Sequence, residues 1–181
     1  MSEALSCMPA PSRALADAQP VRPLDAADRA RAQFVGSSFP AYQARWEALR
    51  SKGFSWNWAA FCFGPGWLAY RKMPVPCAAL LGFVMFETSL EQIASVPASI
   101  TAAIYLLMAI GFGVSGDRLY RYHVDSSVRL ITGSGSAPAA VDAELIHKGG
   151  TSLCHAMGFV MLLVAVLVAI VVVLAEPAAL P

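Results

Sequence analysis

Two long uncharged apolar runs constrain this chain more than any other feature. One covers residues 97 to 116, and the other covers residues 156 to 175 inside an uncharged segment that begins at 149. A helix needs about 20 mostly apolar residues to cross a bilayer, and each run reaches that length. Backbone polar groups inside lipid must be bonded within their own segment, so these runs predict transmembrane helices.

A third apolar run is weaker because acids interrupt it. Residues 73 to 86 are uncharged but too short to cross a bilayer, and an extension to residue 96 includes Glu87 and Glu91. These acids either end the span in the headgroup layer or lie deeper, where they could bind protons or cations. The sequence predicts an integral membrane protein of about three transmembrane helices, over 73–96, 97–116 and 153–175.

The overall composition favours an all-α membrane protein over a soluble domain. Hydrophobic residues make up 57% of the chain and charged residues 14%, whereas soluble domains carry about 25% charged residues. The net charge is +1 and no basic run occurs, so nucleic acid is excluded as an expected partner. The expected surroundings are the lipid bilayer.

The distribution of Lys and Arg predicts how the chain is threaded. Nine of these thirteen residues lie in residues 1–72, none in 73–117, and four in 118–148. Cytoplasmic loops carry the excess of positive charge in membrane proteins. We therefore expect a cytoplasmic N-terminus, a cytoplasmic helix and linker over 117–152, and a short outer tail over 176–181.

The residues before the first span divide into a tail and an amphipathic element. Residues 1–36 contain few large apolar side chains, which predicts a disordered cytosolic tail with a transient helix near 25–33. The segment 37–72 follows. Tyr42, Trp46 and Leu49 there have the spacing of one helical face, and Gly53 is expected to end that helix.

An aromatic stretch, SWNWAAFCFGPGWLAYRK, precedes the first span at residues 55–72. Its Gly64-Pro65-Gly66 sequence predicts two short helical pieces with a bend between them. Trp rings suit the headgroup region of a bilayer, which favours an interfacial element, while packing inside the helix bundle is the alternative.

The same stretch carries a family resemblance. GFSWNWAAFCFGPGWLAYRKM, residues 53–73, resembles the signature of bacterial membrane proteins catalogued as domain of unknown function 2628. The matching residues are Phe54, Asn57, Trp58, Ala59, Ala60, Phe61, Phe63, Gly64, Pro65, Trp67, Tyr70, Arg71, Lys72 and Met73. Gly116 and Tyr120 resemble a second pattern, in which Asp117 replaces the family's Asn. The resemblance covers roughly residues 40–160 and implies a multi-pass protein of the bacterial inner membrane, with no stated activity.

Several polar residues and one glycine-rich sequence are candidates for a chemical role. GFGVSG at 111–116 matches a dinucleotide-binding pattern in letters, but it ends an apolar run, so glycines at helix contacts are the better interpretation. Asp117 is expected to pair with Arg121 one turn later. Asn57 is expected either to cap a helix or to bind a headgroup or a partner's backbone. No metal or cofactor is predicted.

The resulting functional prediction is a non-enzymatic adaptor or assembly factor. It would bind lipid headgroups or a membrane partner, either another protein or further copies of the chain. The candidate interface comprises Asn57, Trp58, Phe61, Phe63, Gly64, Pro65, Trp67, Tyr70, Arg71, Lys72, Gly116, Asp117 and Tyr120. The first alternative is a small oligomeric transport component that uses Glu87 and Glu91. The second is a membrane enzyme, which would need an essential histidine among His123, His147 and His155.

Overall fold

A computed structural model describes residues 24–175, and all regular elements in that range are helical. This confirms the all-α prediction for the described part of the chain. The seven α-helices are α1 (Ala26–Val35), α2 (Phe39–Lys52), α3 (Trp58–Tyr70), α4 (Pro74–Ala94), α5 (Ala98–Thr132), α6 (Pro138–Lys148) and α7 (Leu153–Ala175). A short 3₁₀ turn, Gly36–Ser38, joins α1 to α2.

Two helices of the described chain, not three, are long and apolar enough to cross a membrane. They are α5, and α7 over Leu153–Val173. The third predicted span, α4, is long enough at 21 residues but falls short on apolarity, since it carries Glu87 and Glu91 in its second half. The two apolar helices are compatible with a membrane protein.

The longest helix, α5, passes without a break through the point where the sequence analysis placed a boundary. The span expected over 97–116 and the cytosolic helix expected after it form one helix of 35 residues. It ends at Gly133, where the apolar periodicity of the second part also ends. The two parts differ in surroundings, since the buried residues of α5 begin at Gly113.

The molecule has a packed half and an apolar exposed half. The packed half contains α1, α2, α6, the second part of α5 and much of α3, and most of the buried apolar side chains lie there. The exposed half contains α4, the first part of α5, and α7. Its exposed apolar side chains include Val75, Phe86, Ile93, Leu106, Leu107, Met157, Met161 and Val173. Contiguous exposed apolar surface of this kind is typical of a membrane or protein contact.

The first helix lies where a transient helix was expected near residues 25–33, and it corrects the expectation that this part of 1–36 is disordered. Residues 1–23 lie outside the described part, but α1 is an ordered, capped helix that buries Phe34 and Val35. The Asp25 carboxylate accepts a hydrogen bond of 2.6 Å from the Asp28 amide at its N-terminus. Arg31 donates to Asp125 on α5 at 2.8 Å, which joins α1 to the packed half.

Helices α2 and α3 follow the sequence predictions closely. Tyr42 and Trp46 are buried on one face of α2, which ends at Gly53 in a left-handed conformation with φ of 69°. In α3 the predicted bend occurs at Gly64, whose φ of 11° and ψ of −87° are not helical. Pro65 follows, and it has no backbone N–H to donate to a carbonyl of the preceding turn.

The bend divides α3 into two helical pieces, and both pieces contact α5. Ala60, before the bend, lies against Gly116 of α5, and Gly64, at the bend, lies against Phe112. After the bend, Trp67 packs edge-on to Tyr120, with the ring centroids 6.1 Å apart. Both pieces of α3 therefore contact α5 between Phe112 and Tyr120, where the packed half meets the apolar half, and this region is the joint between the halves.

The turn between α6 and α7 fastens the start of α7 to the packed half. The Gly150 amide donates to the Phe34 carbonyl at 2.7 Å, and the Ser152 amide donates to the Tyr70 carbonyl at 2.9 Å. A Cβ atom on Gly149 would lie only 2.0 Å from the Phe34 carbonyl oxygen, so this approach requires glycine. The contacts place Leu153, at the start of α7, near the end of α3.

Candidate functional site

A buried carboxylate, Asp117, lies at the joint between the two halves. Its side chain has no exposed surface and accepts two hydrogen bonds, 2.6 Å from the Ser55 hydroxyl and 2.8 Å from the Asn57 amide. The nearest cation is Arg45, whose Nη1 is 3.6 Å from Asp117 Oδ1 and whose side chain is partly exposed. The carboxylate is thus bonded by two neutral donors and a cation at a longer distance.

The expected pairing of Asp117 with Arg121 is wrong. Arg121 lies 3.7 Å from Asp125 instead, on the side of α5 that faces α1. The local i, i+4 spacing fits Asp117 and Arg121, but Asp117 faces the segment before α3, where hydrogen-bond donors are available in a buried position. The side chain therefore joins two segments that are 60 residues apart along the chain.

Asn57 performs the capping role that the sequence analysis considered for it. Its side-chain oxygen accepts from the Ala60 amide at 3.0 Å at the start of α3, while its side-chain nitrogen donates to Asp117. Its own backbone amide donates to the Gly113 carbonyl at 2.8 Å. All these groups are bonded within the protein, so Asn57 is a structural residue rather than a ligand contact.

Two of the three glycines of the GFGVSG sequence allow close packing against α5. A Cβ atom on Gly113 would come within 2.8 Å of the Trp56 ring, and one on Gly116 would come within 2.8 Å of the Ala60 side chain. Gly111 faces open space. This pattern confirms close packing as the reason for glycine at 113 and 116.

An aromatic cluster surrounds a buried arginine next to this network. Tyr120 is fully buried, and its ring lies 4.7 Å from that of Tyr42 and 6.2 Å from that of Trp46. The guanidinium carbon of Arg71 lies 4.6 Å from the Tyr42 ring centroid and 5.1 Å from that of Tyr120. Burial raises the pKa of Tyr120 to about 12, although the neighbouring Arg71 charge acts in the opposite direction.

The guanidinium of Arg71 is the polar group with unused donors. The side chain is 8% exposed, and its Nε and Nη1 atoms are buried without a hydrogen-bond partner. The Tyr120 hydroxyl lies close enough to Arg71 for the guanidinium to act to lower the Tyr120 pKa, but no hydrogen bond of acceptable geometry joins the two groups. Buried polar groups are nearly always bonded, so two free donors at one side chain require an explanation.

Trp67 belongs to the aromatic cluster through its contact with Tyr120, whereas Trp58, Phe63 and Lys72 lie outside both clusters. Trp58 and Phe63 are 68% and 70% exposed, whereas Trp67 is buried, so the aromatic stretch is divided between surface and core. Lys72 donates to the His147 carbonyl at 3.0 Å. Among the residues that the structure describes, no group of three His, Cys, Asp or Glu side chains could hold a metal ion.

Sequence reasoning missed Ser55, Arg45, Tyr42 and Trp46 as members of the site. The spacing of Tyr42 and Trp46 predicts only a shared helix face, yet Trp46 also donates its indole N–H to the Asp117 backbone carbonyl at 3.2 Å. The available signal was the position of Arg45, which lies one helical turn after Tyr42 and directly before Trp46. Nothing local connects α2 to residue 117.

The sequence pattern of a family described as Protein of unknown function (DUF2628) matches residues 27–125. The chain belongs to this family. The match confirms the family to which the stretch at 53–73 pointed, and it includes the Asp117 network and the Arg71 cluster. It begins earlier than the expected limit of residue 40 and ends earlier than the expected limit of residue 160. No curated protein and no solved structure matches the chain.

The limits of the DUF2628 match coincide with a contact in the fold. Arg31 of α1 is bonded to Asp125 of α5, so the matched residues begin and end close together. Helices α6 and α7 lie outside the matched range. The shared family portion therefore extends from α1 to Asp125, in the last quarter of α5.

Proposed function

We propose that this DUF2628 protein is a non-enzymatic adaptor of the bacterial inner membrane, with its packed half at the cytoplasmic surface. The observation that carries the proposal is the separation of charge from exposed apolar surface. Every Lys and Arg in residues 24–175 lies in the packed half or at its edge, beside Tyr70. The other half exposes apolar side chains over three helices. Cations on one side and apolar helices on the other favour a cytoplasmic packed half.

Contacts between α4 and α5 support three spans in place of two. The Tyr105 hydroxyl donates to Glu87 at 2.9 Å, and the Thr101 hydroxyl donates to Glu91 at 2.9 Å. These bonds hold the second part of α4 beside the first part of α5, at the same depth. A helix of 21 residues is about 31 Å long, which suffices for the hydrocarbon layer. We therefore infer that α4 enters the bilayer with α5.

Accessibility labelling of single cysteines tests this arrangement. In a background without the native cysteines, Ser95→Cys lies in the α4–α5 turn, Ser136→Cys in the α5–α6 linker, and Lys52→Cys at the end of α2. We expect an impermeant thiol reagent to label only Ser95→Cys in intact spheroplasts. Lys52→Cys and Ser136→Cys should react only after lysis. Labelling of Lys52→Cys before lysis would contradict the cytoplasmic packed half, and protection of Ser95→Cys would contradict the span by α4.

The adaptor role is supported by exposed aromatic side chains at the joint. Trp58 and Phe54 are exposed at the start of α3, at the level where α5 leaves the apolar half. Aromatic side chains are enriched at the energetically dominant positions of protein interfaces. Trp67 is buried, so its replacement would report on folding rather than on binding.

Native mass spectrometry of the tagged protein, extracted gently from native membranes, tests for a partner. Trp58→Ala is compared with Phe86→Ala, since both side chains are 68% exposed but Phe86 lies on α4. We expect a stoichiometric protein partner with wild type and Phe86→Ala, and its loss with Trp58→Ala. A complex that both variants retain, or no complex with wild type, would refute the adaptor role.

The transport alternative depends on the two acids of α4. Each carboxylate accepts a hydrogen bond from a hydroxyl of α5, which supports a role in joining the helices. Transport would require protons or cations to bind there. Proton flux in liposomes that is present with wild type and absent with Glu87→Gln would favour transport, while equal flux would exclude a role for Glu87.

A further inference from the structure

A cavity of about 490 Å³ opens beside Arg71, between α2, α3 and the start of α7. Its polar wall includes Arg45, Tyr70 and Arg71, and its apolar wall includes Phe63, Trp67 and Leu153. The cavity lies at the joint between the packed half and the apolar half. A ligand there would meet two cations on one side and an apolar surface on the other.

The state of Arg71 indicates that the cavity binds an anion. The side chain is more than nine-tenths buried, lines the cavity, and leaves Nε and Nη1 without hydrogen-bond partners. None of the ion pairs in the described residues includes Arg71. Tyr42 and Tyr120 provide cation–π contacts, but these do not accept the N–H groups. Nε and Nη1 are themselves closed off from the cavity, so an anion would contact the small part of Arg71 that stays accessible there and would neutralise its buried charge.

The charge balance of the surroundings also favours an anion. Arg45 is the second cation of the cavity, and its guanidinium lies over the Tyr42 ring at 5.3 Å. Within the described residues, the one acid paired with Arg45 is Asp117, whose Oδ1 lies 3.6 Å from Nη1 and also accepts a hydrogen bond from Asn57. Two cations against one carboxylate leave one positive charge available for a ligand. A planar guanidinium matches the oxygens of a phosphate group especially well.

The apolar wall identifies the kind of anion. Phe63 is 70% exposed, and Leu153 begins α7, one of the two helices long and apolar enough to cross a membrane. A soluble phosphate would leave this surface in water, whereas acyl chains that follow α7 would cover it. We propose that the Arg71 cavity binds the phosphodiester of an anionic phospholipid, with the acyl chains along the start of α7. This inference rests on the membrane placement proposed above.

Lipid binding to the purified full-length protein tests the inference. The probe is phosphatidylglycerol, with phosphatidylcholine as the zwitterionic comparison and sodium phosphate as the soluble comparison. Affinity is measured by native mass spectrometry in detergent, and thermal unfolding of each variant reports on its folding. The variants are Arg71→Gln, Arg71→Lys and the partly exposed Arg45→Gln. Arg50→Gln is the matched control, because Arg50 is exposed on α2 outside this cavity.

We expect wild type and Arg50→Gln to bind phosphatidylglycerol in preference to phosphatidylcholine. Arg71→Gln should weaken this binding about tenfold or more, since charge-assisted hydrogen bonds are lost. Arg71→Lys should bind with intermediate affinity because it keeps the charge but not the planar fork. Arg45→Gln keeps the test valid if Arg71→Gln fails to fold, and it should weaken binding less than Arg71→Gln.

Three results would overturn the inference. The first is that Arg45→Gln, and whichever Arg71 variant folds, bind phosphatidylglycerol with the same affinity as wild type. The second is an equal loss with Arg50→Gln, which would indicate general surface charge. The third is stabilisation by sodium phosphate as large as that by the lipid, which would show a soluble ligand. Failure here would leave the cysteine-labelling and Trp58 tests unaffected, since they use other residues.

Discussion

Replacement of Asp117 is the sharpest test of the structure at the joint. The carboxylate is fully buried, and its loss in Asp117→Ala would leave the Ser55 hydroxyl and the Asn57 amide buried without acceptors. Asp117→Asn is a milder change of nearly the same shape. Its side-chain oxygen can still accept from Asn57, and its amide can donate to the Ser55 hydroxyl, which also accepts.

The expected magnitudes follow from these contacts. A hydrogen bond to a charged group contributes about 1.5–3 kcal/mol, and an unpaired buried donor costs about 1–3 kcal/mol. The alanine variant also removes the cost of burying a charge, so the terms do not simply add. We expect Asp117→Ala to lose about 2–4 kcal/mol of unfolding free energy. Asp117→Asn should lose about 1 kcal/mol or less, since both hydrogen bonds have a replacement.

Unfolding by titration with sodium dodecyl sulfate in mixed micelles measures these differences. Tryptophan fluorescence is a suitable signal, because Trp46 and Trp56 lie beside the network and Trp67 is in the adjacent cluster. Asp142→Ala, at an exposed position on α6, is the control for loss of one acid. Its unfolding free energy should stay within about 0.5 kcal/mol of wild type.

Two results would refute the reasoning. If Asp117→Ala is as mild as Asp142→Ala, the two buried donors find other acceptors and the network does not stabilise the joint. If Asp117→Asn is as destabilising as Asp117→Ala, the negative charge near Arg45 matters more than the hydrogen bonds.

Two further predictions concern packing and pH. Gly113→Ala should destabilise the protein by about 1–3 kcal/mol, because its Cβ would lie 2.8 Å from the Trp56 ring, whereas Gly111→Ala should be neutral in the same titration. Burial lowers the pKa of His123, whose Nε2 has no hydrogen-bond partner, so the unfolded state binds the proton more readily. Stability should therefore fall as the pH drops below about 6.5, the unfolded pKa, and His123→Phe should reduce this fall between pH 7 and 5. An unchanged pH profile in the variant, or equal effects of the two glycine changes, would contradict these predictions.

The features predicted from sequence are those with local causes. The apolar runs predicted α5 and α7, Gly53 predicted the end of α2, and Gly64-Pro65 predicted the bend in α3. Each signal acts within a few residues of the backbone it affects. The exception is α1, where sparse apolar composition indicated disorder. Phe34 and Val35 are few, but they are buried against distant elements, which composition alone does not reveal.

The site was less predictable because its contacts join distant segments. Asp117 is bonded to residues about 60 positions earlier, and Arg71 lies between rings that are 29 positions before it and 49 positions after it. Local i, i+4 spacing favoured Arg121 as the partner of Asp117, and no neighbouring residue indicated that Asp117 would face α2 and α3 instead. Burial of both side chains decides the outcome, and burial depends on how α2, α3 and α5 pack together.

The network and the cavity are coupled through Arg45, which leads to a final prediction. Asp117 lies 3.6 Å from Arg45, so its charge competes with an anion for that guanidinium. Asp117→Asn removes this competition and keeps the hydrogen bonds. Since a partly exposed ion pair contributes about 0.2–1 kcal/mol, phosphatidylglycerol affinity should rise by up to about fivefold. Lipid titration by native mass spectrometry measures the change. When Asp117→Asn is made in an Arg45→Gln background, the affinity should not rise. Weaker binding by Asp117→Asn would show that the carboxylate positions Arg45 for the ligand instead of competing with it.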